Sequence, residues 1–250
     1  MFESYDHAES SFITLTYDDY YLPENAGLDV KDWQKFAHRL RKYVWRNYAK
    51  KIRFYMCGEY GYSPTTLNNI GRPHFHAIIF GHAFHEDRYI KREKPHEAFS
   101  SDALQDLWGK GITELSDMTV ETAAYVASYT VKKITGDLAK EHYVRLNEQT
   151  GEIVNIRPEF STMSRGGEHG GIGRRWYEQY KKDLHKGFVT IDGKTFPVPK
   201  FYQNIMSEDD AWALEQMREQ AKMNRKEASS QEKLRALEAA QIELQKEKIR

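Results

Sequence analysis

Residues 10–134 alternate between two kinds of periodicity, and this alternation limits the possible folds more than any other feature of the chain. Four segments have the alternation or composition of β-strands, and they are SFITLTYDD, IRFYMCG, HFHAIIF and ITELS. Segments with helical spacing of apolar residues separate or follow them. Strands that are separated by helices and can form hairpins predict an α+β fold, with helices packed against an antiparallel sheet.

Three segments of this region are predicted to be helices. Asp29 is the expected N-cap of the first, which carries an apolar stripe of Trp33, Phe36, Ala37, Leu40 and Val44. SSDALQDLWGKG is a short capped helix that ends at Gly109. The third runs from Thr119 to Ile134, with a predicted apolar stripe of Val120, Ala123, Ala124, Ala127, Val131 and Ile134.

Basic residues are concentrated late in the first helix and just after it. They are Arg39, Arg41, Lys42, Arg46, Lys50, Lys51 and Arg53. A solvated helix face and a phosphate-binding surface both explain this pattern. The whole chain balances 37 basic against 37 acidic residues, so a nucleic-acid partner must be held by a local basic surface.

The rest of the chain predicts a less regular extension and a terminal helix. Residues 1–137 are expected to form the core, 138–207 a loop-rich continuation of the same domain, and 208–250 a charged helix. Asp192-Gly193 indicates a hairpin. The terminal helix has a thin apolar seam and is either solvated or a site of self-association; the seam consists of Leu234, Leu237 and Leu244.

The location of the protein follows from what the sequence contains. Cys57 is the only cysteine, so a disulfide within the chain and a multi-cysteine zinc site are excluded. The N-terminal segment is polar, and no apolar run has the length of a membrane span. We expect a cytoplasmic protein with no membrane partner.

Two histidines interrupt an otherwise apolar strand in GRPHFHAIIFG, residues 71–81. Because alternate residues of a strand share a face, His74 and His76 point the same way, and Glu59 on the preceding strand could lie beside them. Such a set suits a divalent cation with Lewis-acid function. Mn²⁺ or Mg²⁺ and Zn²⁺ remain open, as does a purely structural role for the histidines.

Two tyrosines lie one turn apart in the third predicted helix. Tyr125, Tyr129 and Lys132 fall within one narrow arc. They either pack against another element or act as nucleophiles, with Lys132 stabilising the phenolate.

Together, FITLTYDD, GRPHFHAIIFG and YVASYTVKK resemble, in this order, the three motifs of HUH endonucleases, the rolling-circle replication initiators. The resemblance covers roughly residues 10–205 and is closest to initiators of small single-stranded DNA phages, the gokushovirus-like Microviridae. It implies a five-stranded antiparallel sheet with flanking helices, related to RNA-recognition and ferredoxin-like folds. It also implies that His74, His76 and Glu59 bind the metal and that Tyr129 and Tyr125 are nucleophiles, with Lys132 in the motif of Tyr129.

By the same resemblance, the reaction would be nicking of single-stranded origin DNA, covalent attachment to the 5′ phosphate, and later rejoining. Phosphate-binding candidates are Arg72, Arg165, Arg174 and Arg175. The chain has no Walker loop, so a host helicase is an expected partner. Two features depart from the family: the chain begins almost at the first motif, so its start could be shortened, and SRGGEHGGIG is unusually rich in glycine.

Two other functions remain open from the residues alone. A non-catalytic module could stack single-stranded bases on sheet aromatics, for which Tyr17, Phe54 and Phe75 are candidates. A metal-dependent hydrolase could use the same histidines with water as the nucleophile. The first leaves the histidine pair unexplained, and the second leaves the tyrosine pair unused.

Overall fold

A computed structural model describes residues 1–92, 97–147, 150–166 and 170–228, without the side chains of residues 92, 129–132 and 224–228. The chain forms two compact units, Met1–Arg175 and Trp176–Arg250.

The first unit combines strands and helices throughout its length. Its strands are β1 (Ser10–Thr16), β2 (Arg53–Tyr62), β3 (Ile70–Phe80), β4 (Arg88–Arg92), β5 (Ala98–Ser101), β6 (Thr113–Asp117), β7 (Val144–Leu146), β8 (Ile153–Asn155) and β9 (Phe160–Met163). Its helices are α1 (Val30–Tyr48), α2 (Asp102–Trp108), α3 (Val120–Lys132) and α4 (Asp137–His142), and α5 (Arg174–Tyr180) begins at its end.

A seven-stranded sheet in the order β4-β5-β6-β1-β3-β2-β9 forms the centre of the unit. Every neighbouring pair in it is antiparallel. The α+β class is therefore confirmed, whereas the sheet has seven strands where the family resemblance implied five. The strands β4, β5 and β9 were not predicted, because they are short and lie in segments without clear alternation.

The helices α1 and α2 cover one face of the sheet and form the main core with it. Asp29 caps α1 as predicted, since its carboxylate accepts a hydrogen bond from the Lys31 backbone N–H at 2.8 Å. All five residues of the predicted stripe of α1 are buried. The sheet contributes the alternate residues of its central strands, which are Ile13, Leu15, Met56, Phe75, Ala77 and Ile79.

Phe75 lies at the centre of this core and is fully buried. Its ring contacts Trp33 and Trp108, with centroids 6.0 and 5.9 Å away. Phe75→Ala is expected to lower the free energy of unfolding by about 3–5 kcal/mol, because the cavity loses these contacts. Chemical denaturation measures the change. Tyr20→Ala, at an 87% exposed position, is the control and should change stability by less than about 0.5 kcal/mol; a small loss for Phe75→Ala would contradict this packing.

The helix α3 packs on the opposite face of the sheet. Its N-terminus is the predicted one, since Thr119 and Thr122 form a capping box. The predicted apolar stripe is wrong: Ala124 and Ala127 are exposed, whereas Val126 is fully buried against Ile78 and Phe80. Small alanines tolerate exposure, so the larger Val126 determines which side of the helix meets the sheet.

Much of the basic stretch stabilises the fold. Arg39 donates hydrogen bonds to the carbonyls of Leu107 and Trp108 at the end of α2, at 2.8 and 3.2 Å. Arg53 pairs with Glu3 at 3.1 Å. Because α1 covers the Phe75 face, this stretch does not border the face that carries His74 and His76.

The aromatic residues proposed for base stacking are not available for it. Tyr17, Phe54 and Phe75 are 1%, 6% and 0% exposed. They face α1 and α2, because they alternate with the residues of the opposite face. The interpretation of these three rings as a stacking platform is wrong.

The second unit contains a small hairpin and helices. Its elements are β10 (Phe188–Ile191), β11 (Lys194–Pro197), α6 (Lys200–Gln203) and α7 (Glu208–Ala228). The predicted hairpin is confirmed, with positive φ at Asp192 and Gly193. The predicted apolar seam of the terminal helix lies outside the described residues. No helix in the described part of the chain combines the length and apolar character needed to cross a bilayer.

Candidate functional site

Glu59, His74 and His76 form a compact triad on the sheet face that carries α3. The antiparallel register places Glu59 directly opposite His74, as the sequence predicted. The carboxylate Oε1 lies 2.7 Å from His74 Nε2 and 2.8 Å from His76 Nε2. One ligand atom from each residue lies within 4.8 Å of the others, so the three side chains could hold one metal ion.

The other nitrogen of each imidazole has its own partner, which orients the ring. His74 Nδ1 lies 3.1 Å from the Arg72 carbonyl oxygen, and His76 Nδ1 lies 2.9 Å from Thr14 Oγ1. Metal-binding histidines are typically oriented in this way through the nitrogen that does not bind the metal. Sequence reasoning did not single out Thr14, since its role depends on the pairing of Thr14 with His76 across β1 and β3.

The hydrogen bonding of His74 supports a cation in this position. A carbonyl oxygen only accepts, so His74 Nδ1 carries the proton, and a neutral ring then directs the Nε2 lone pair at the Glu59 carboxylate. A proton or a metal ion resolves this contact. The second carboxylate oxygen, Glu59 Oε2, is buried and has no hydrogen-bond partner among the described residues. The donor set therefore fits a divalent cation.

Burial and hydrogen bonding also shape the charge of the triad. Burial raises the pKa of the Glu59 carboxyl, but hydrogen bonds and charge from His74 and His76 outweigh it and lower that pKa to about 2. Burial lowers the pKa of His76 despite the neighbouring Glu59. An ionised carboxylate and a neutral imidazole are the forms in which these groups bind metals.

Tyr125 on α3 projects its hydroxyl to the triad. The phenolic oxygen lies 3.5 Å from Glu59 Oε1 and 3.5 Å from His76 Nε2. The ring packs edge-on against His76, with centroids 5.1 Å apart. Tyr125 is 42% exposed and His74 is partly exposed, so the site is open to solvent on this side. A substrate phosphate can therefore approach both the triad and the phenol.

The remaining members of the predicted tyrosine motif are described only in part. Residues 129 and 132 lie in the last turns of α3, and their side chains lie outside the described residues. The spacing of four residues places the backbone of Tyr129 one turn beyond that of Tyr125. The roles predicted for Tyr129 and Lys132 stay predictions.

The four arginines proposed to bind phosphate lie in two places. Arg72 is close to the triad: its carbonyl bonds His74, and its guanidinium pairs with Asp19 and with the Tyr17 carbonyl. Arg165, Arg174 and Arg175 follow β9, near the end of β2 where Arg53 bonds the Gly170 carbonyl. Arg53 and Glu59 are six residues apart on β2, so this region lies about 20 Å along the sheet from the triad.

Thr14→Val is expected to weaken Mn²⁺ binding by about 10- to 100-fold, because it removes the hydroxyl that orients His76 while keeping the shape of the side chain. Isothermal titration calorimetry measures the affinity. Thr16→Val is the matched control, since Thr16 lies on the same face of β1 and the hydrogen bonds described above for both imidazoles go to other residues. Equal affinity for the two variants would contradict this role of Thr14.

Comparisons with known proteins agree on one group. Residues 10–134 match the family model of replication-associated proteins of the ORF2 type. The chain is similar to replication-associated protein ORF4 of Chlamydia phage 1, with 34% identity over 77% of the chain. It is also similar to VP4 of Bdellovibrio phage phiMH2K, at 28% over 78%, and to ORF2 of Spiroplasma virus 4, at 27% over 79%.

These relatives are longer than the part that the chain matches. The matched regions cover 50%, 57% and 58% of the Chlamydia, Bdellovibrio and Spiroplasma phage proteins, so the chain spans just over half the length of these curated relatives. No solved structure matches the chain.

Proposed function

The chain belongs to the ORF2-type family of replication-associated proteins, and from this we propose that it initiates rolling-circle replication of a small phage genome by cutting single-stranded origin DNA. The cut is made by a tyrosine hydroxyl, which remains linked to the 5′ phosphate. A later transfer rejoins the strand. The reaction takes place in the cytoplasm of the bacterial host.

The position of Tyr125 is the observation that supports this proposal most directly. Its hydroxyl lies 3.5 Å from two groups of a metal-binding triad, on a part of the site that is open to solvent. A tyrosine that served only packing would bury its ring and bond its hydroxyl elsewhere in the core. Here the hydroxyl points to the place where a phosphate would be bound.

The transfer exchanges one phosphate ester for another. The phenolic oxygen forms a bond to phosphorus and loses its proton, while the bond from phosphorus to the 3′ oxygen breaks and that oxygen gains a proton. The products are a free 3′ hydroxyl and a phosphotyrosine link. Because the new ester keeps the phosphate activated, a 3′ hydroxyl can reverse the step and rejoin DNA.

Glu59, His74 and His76 would hold a divalent cation, Mn²⁺ or Mg²⁺, with Zn²⁺ as the alternative for two imidazole ligands. When bound, the ion supplies Lewis-acid stabilisation of charge on the phosphate oxygens. A tyrosine phenol has a reference pKa near 10, so ionising it at pH 7 costs roughly 4 kcal/mol. We propose that Lys132 offsets part of this cost through its positive charge.

The second tyrosine and the other partners complete the proposal. Tyr129 would act as the other nucleophile, so that one tyrosine can hold DNA while its neighbour attacks. Arg72, beside the triad, would contact the DNA backbone, and Arg165, Arg174 and Arg175 would do so further along the sheet. A host helicase would separate the strands, and the terminal helix is a candidate for self-association.

The test uses the whole chain with Mn²⁺ and labelled single-stranded fragments that tile the genome encoding it. A denaturing gel then separates free DNA, cut DNA and DNA linked to protein. We expect one fragment to give a nick together with a protein-linked 5′ end, and EDTA to abolish both.

Other outcomes would assign the other functions. A nick without a protein-linked end would indicate a hydrolase that uses water. A retarded complex on a native gel, without any cut fragment, would indicate a binding module. Either result would overturn the proposed transfer.

A further inference from the structure

A cavity of about 360 Å³ adjoins the triad on the same face of the sheet. It lies beside β1 and β6 and the start of α3, and its lining includes Phe12, Thr14, Phe99, Glu114 and Ser116. Its volume lies in the lower part of the range for small-ligand sites. The cavity is therefore large enough for one ring-sized group of a larger substrate.

Two residues belong both to this cavity and to the surroundings of the triad. Thr14 lines the cavity and bonds His76 at 2.9 Å. The Phe12 ring lines the cavity and stacks on His76, with centroids 5.4 Å apart and an angle of 13° between the planes. A group attached to a phosphate at the triad can therefore enter the cavity while the phosphate stays in place.

The lining offers both ring contacts and hydrogen-bond acceptors. Phe12 and Phe99 supply aromatic surface, which is how proteins commonly hold unpaired bases. Glu114 and Asp117 supply carboxylates, which are paired with Lys91 at 3.2 Å and Arg88 at 2.7 Å. These cations reduce repulsion of DNA, and a carboxylate with about four acceptor sites can still accept further hydrogen bonds.

Resting on the proposed function, we propose that this cavity binds the base of a nucleotide next to the scissile phosphate and prefers an amino-bearing base to thymine. Cytosine, adenine and guanine carry amino groups on their edges, and a carboxylate accepts from such a group. Thymine has carbonyl oxygens at the corresponding positions, which a carboxylate repels. A phosphate would not enter this cavity, because its carboxylates repel a second anion.

Binding in EDTA tests the cavity without cleavage. Fluorescein-labelled dC12 and dT12 at pH 7.5 are titrated with the whole chain, and anisotropy gives the two dissociation constants. We expect dC12 to bind at least about fivefold more tightly, since a good base contact provides about 1–3 kcal/mol of discrimination.

Two variants and one control link the preference to this cavity. Glu114→Gln exchanges acceptors for an amide of the same shape, and Ser116→Leu fills the space. Both should reduce the dC12 to dT12 ratio to near one, while Asp137→Asn, which removes a fully exposed carboxylate on α4, should leave it unchanged. Equal binding of dC12 and dT12 by the unmodified chain, or a ratio unaffected by both variants, would overturn the proposal.

A second experiment separates this proposal from the proposed function. A pool of single-stranded DNA with a randomised centre is incubated with Mn²⁺, and both fragments of each protein-linked product are sequenced. Depletion of thymine at one flanking position is expected. Linked products without any base bias would overturn the cavity proposal alone, whereas a dC12 preference without linked products would leave the cavity and overturn the transfer.

Discussion

The double variant Tyr125→Phe, Tyr129→Phe is expected to form no protein–DNA adduct, a loss on the order of 10³-fold or more. Both hydroxyls that could attack phosphorus are removed, while each ring keeps its shape. Binding of single-stranded DNA should change by less than about 0.5 kcal/mol, because the phenols are not needed to hold the backbone. Denaturing gels measure the adduct, and anisotropy measures binding.

The single variants show which tyrosine attacks first. Given the 3.5 Å distances of the Tyr125 hydroxyl, Tyr125→Phe alone should reduce initial cutting most, and Tyr129→Phe should chiefly impair rejoining. Tyr5→Phe is the control, since this exposed tyrosine lies in the N-terminal segment. An adduct that persists in the double variant would mean that neither tyrosine is the nucleophile.

Glu59→Gln is expected to abolish Mn²⁺-dependent cutting and to weaken Mn²⁺ binding by more than the about 10- to 100-fold expected for Thr14→Val. The substitution keeps the shape of the side chain and removes the anionic ligand between the two imidazoles. Calorimetry measures binding, and gels measure cutting. The affinity of the unmodified chain should fall as the pH drops below about 6, since imidazoles must be neutral to bind a metal.

Two further variants make this result specific. His76→Ala should behave like Glu59→Gln, because it removes a second member of the triad. Glu141→Gln, at an exposed position on α4, should leave both binding and cutting unchanged. Unaltered Mn²⁺ affinity in Glu59→Gln would show that the ion is bound elsewhere, even if cutting were lost.

The central elements could be predicted because their signals are local. The capping by Asp29 and the stripe from Trp33 to Val44 determine α1 without reference to the rest of the chain. Alternation likewise placed His74 and His76 on one face of β3, with Phe75 on the other. Only one further assumption was needed for the triad, namely that β2 pairs with β3, and the register confirms it.

Features that depend on distant partners could not be predicted. The side of α3 that meets the sheet depends on the fit of Val126 to Ile78 and Phe80, and a stripe of alanines carries little information about it. Thr14 is one of several threonines until its pairing with His76 is known. Arg39 and Arg53 resembled a phosphate-binding surface, yet each satisfies a carbonyl or carboxylate within the fold.

The short edge strands were missed for a related reason. The strands β5 and β9 each have four residues, too few for a period to be recognised. They form because an existing sheet edge offers unpaired backbone groups.

The direct pairing of Glu59 with His74 makes catalysis depend on the accuracy of strand alignment during folding. A slip of β2 by one residue would bring Gly58 opposite His74 and turn the Glu59 carboxylate toward Trp33 and Phe75. Such a misaligned chain would bury a charge among aromatic rings, at a cost of several kcal/mol. The acidic ligand thus disfavours the wrong register, and the residue that would hold the ion also helps to select the only alignment in which the ion can be held.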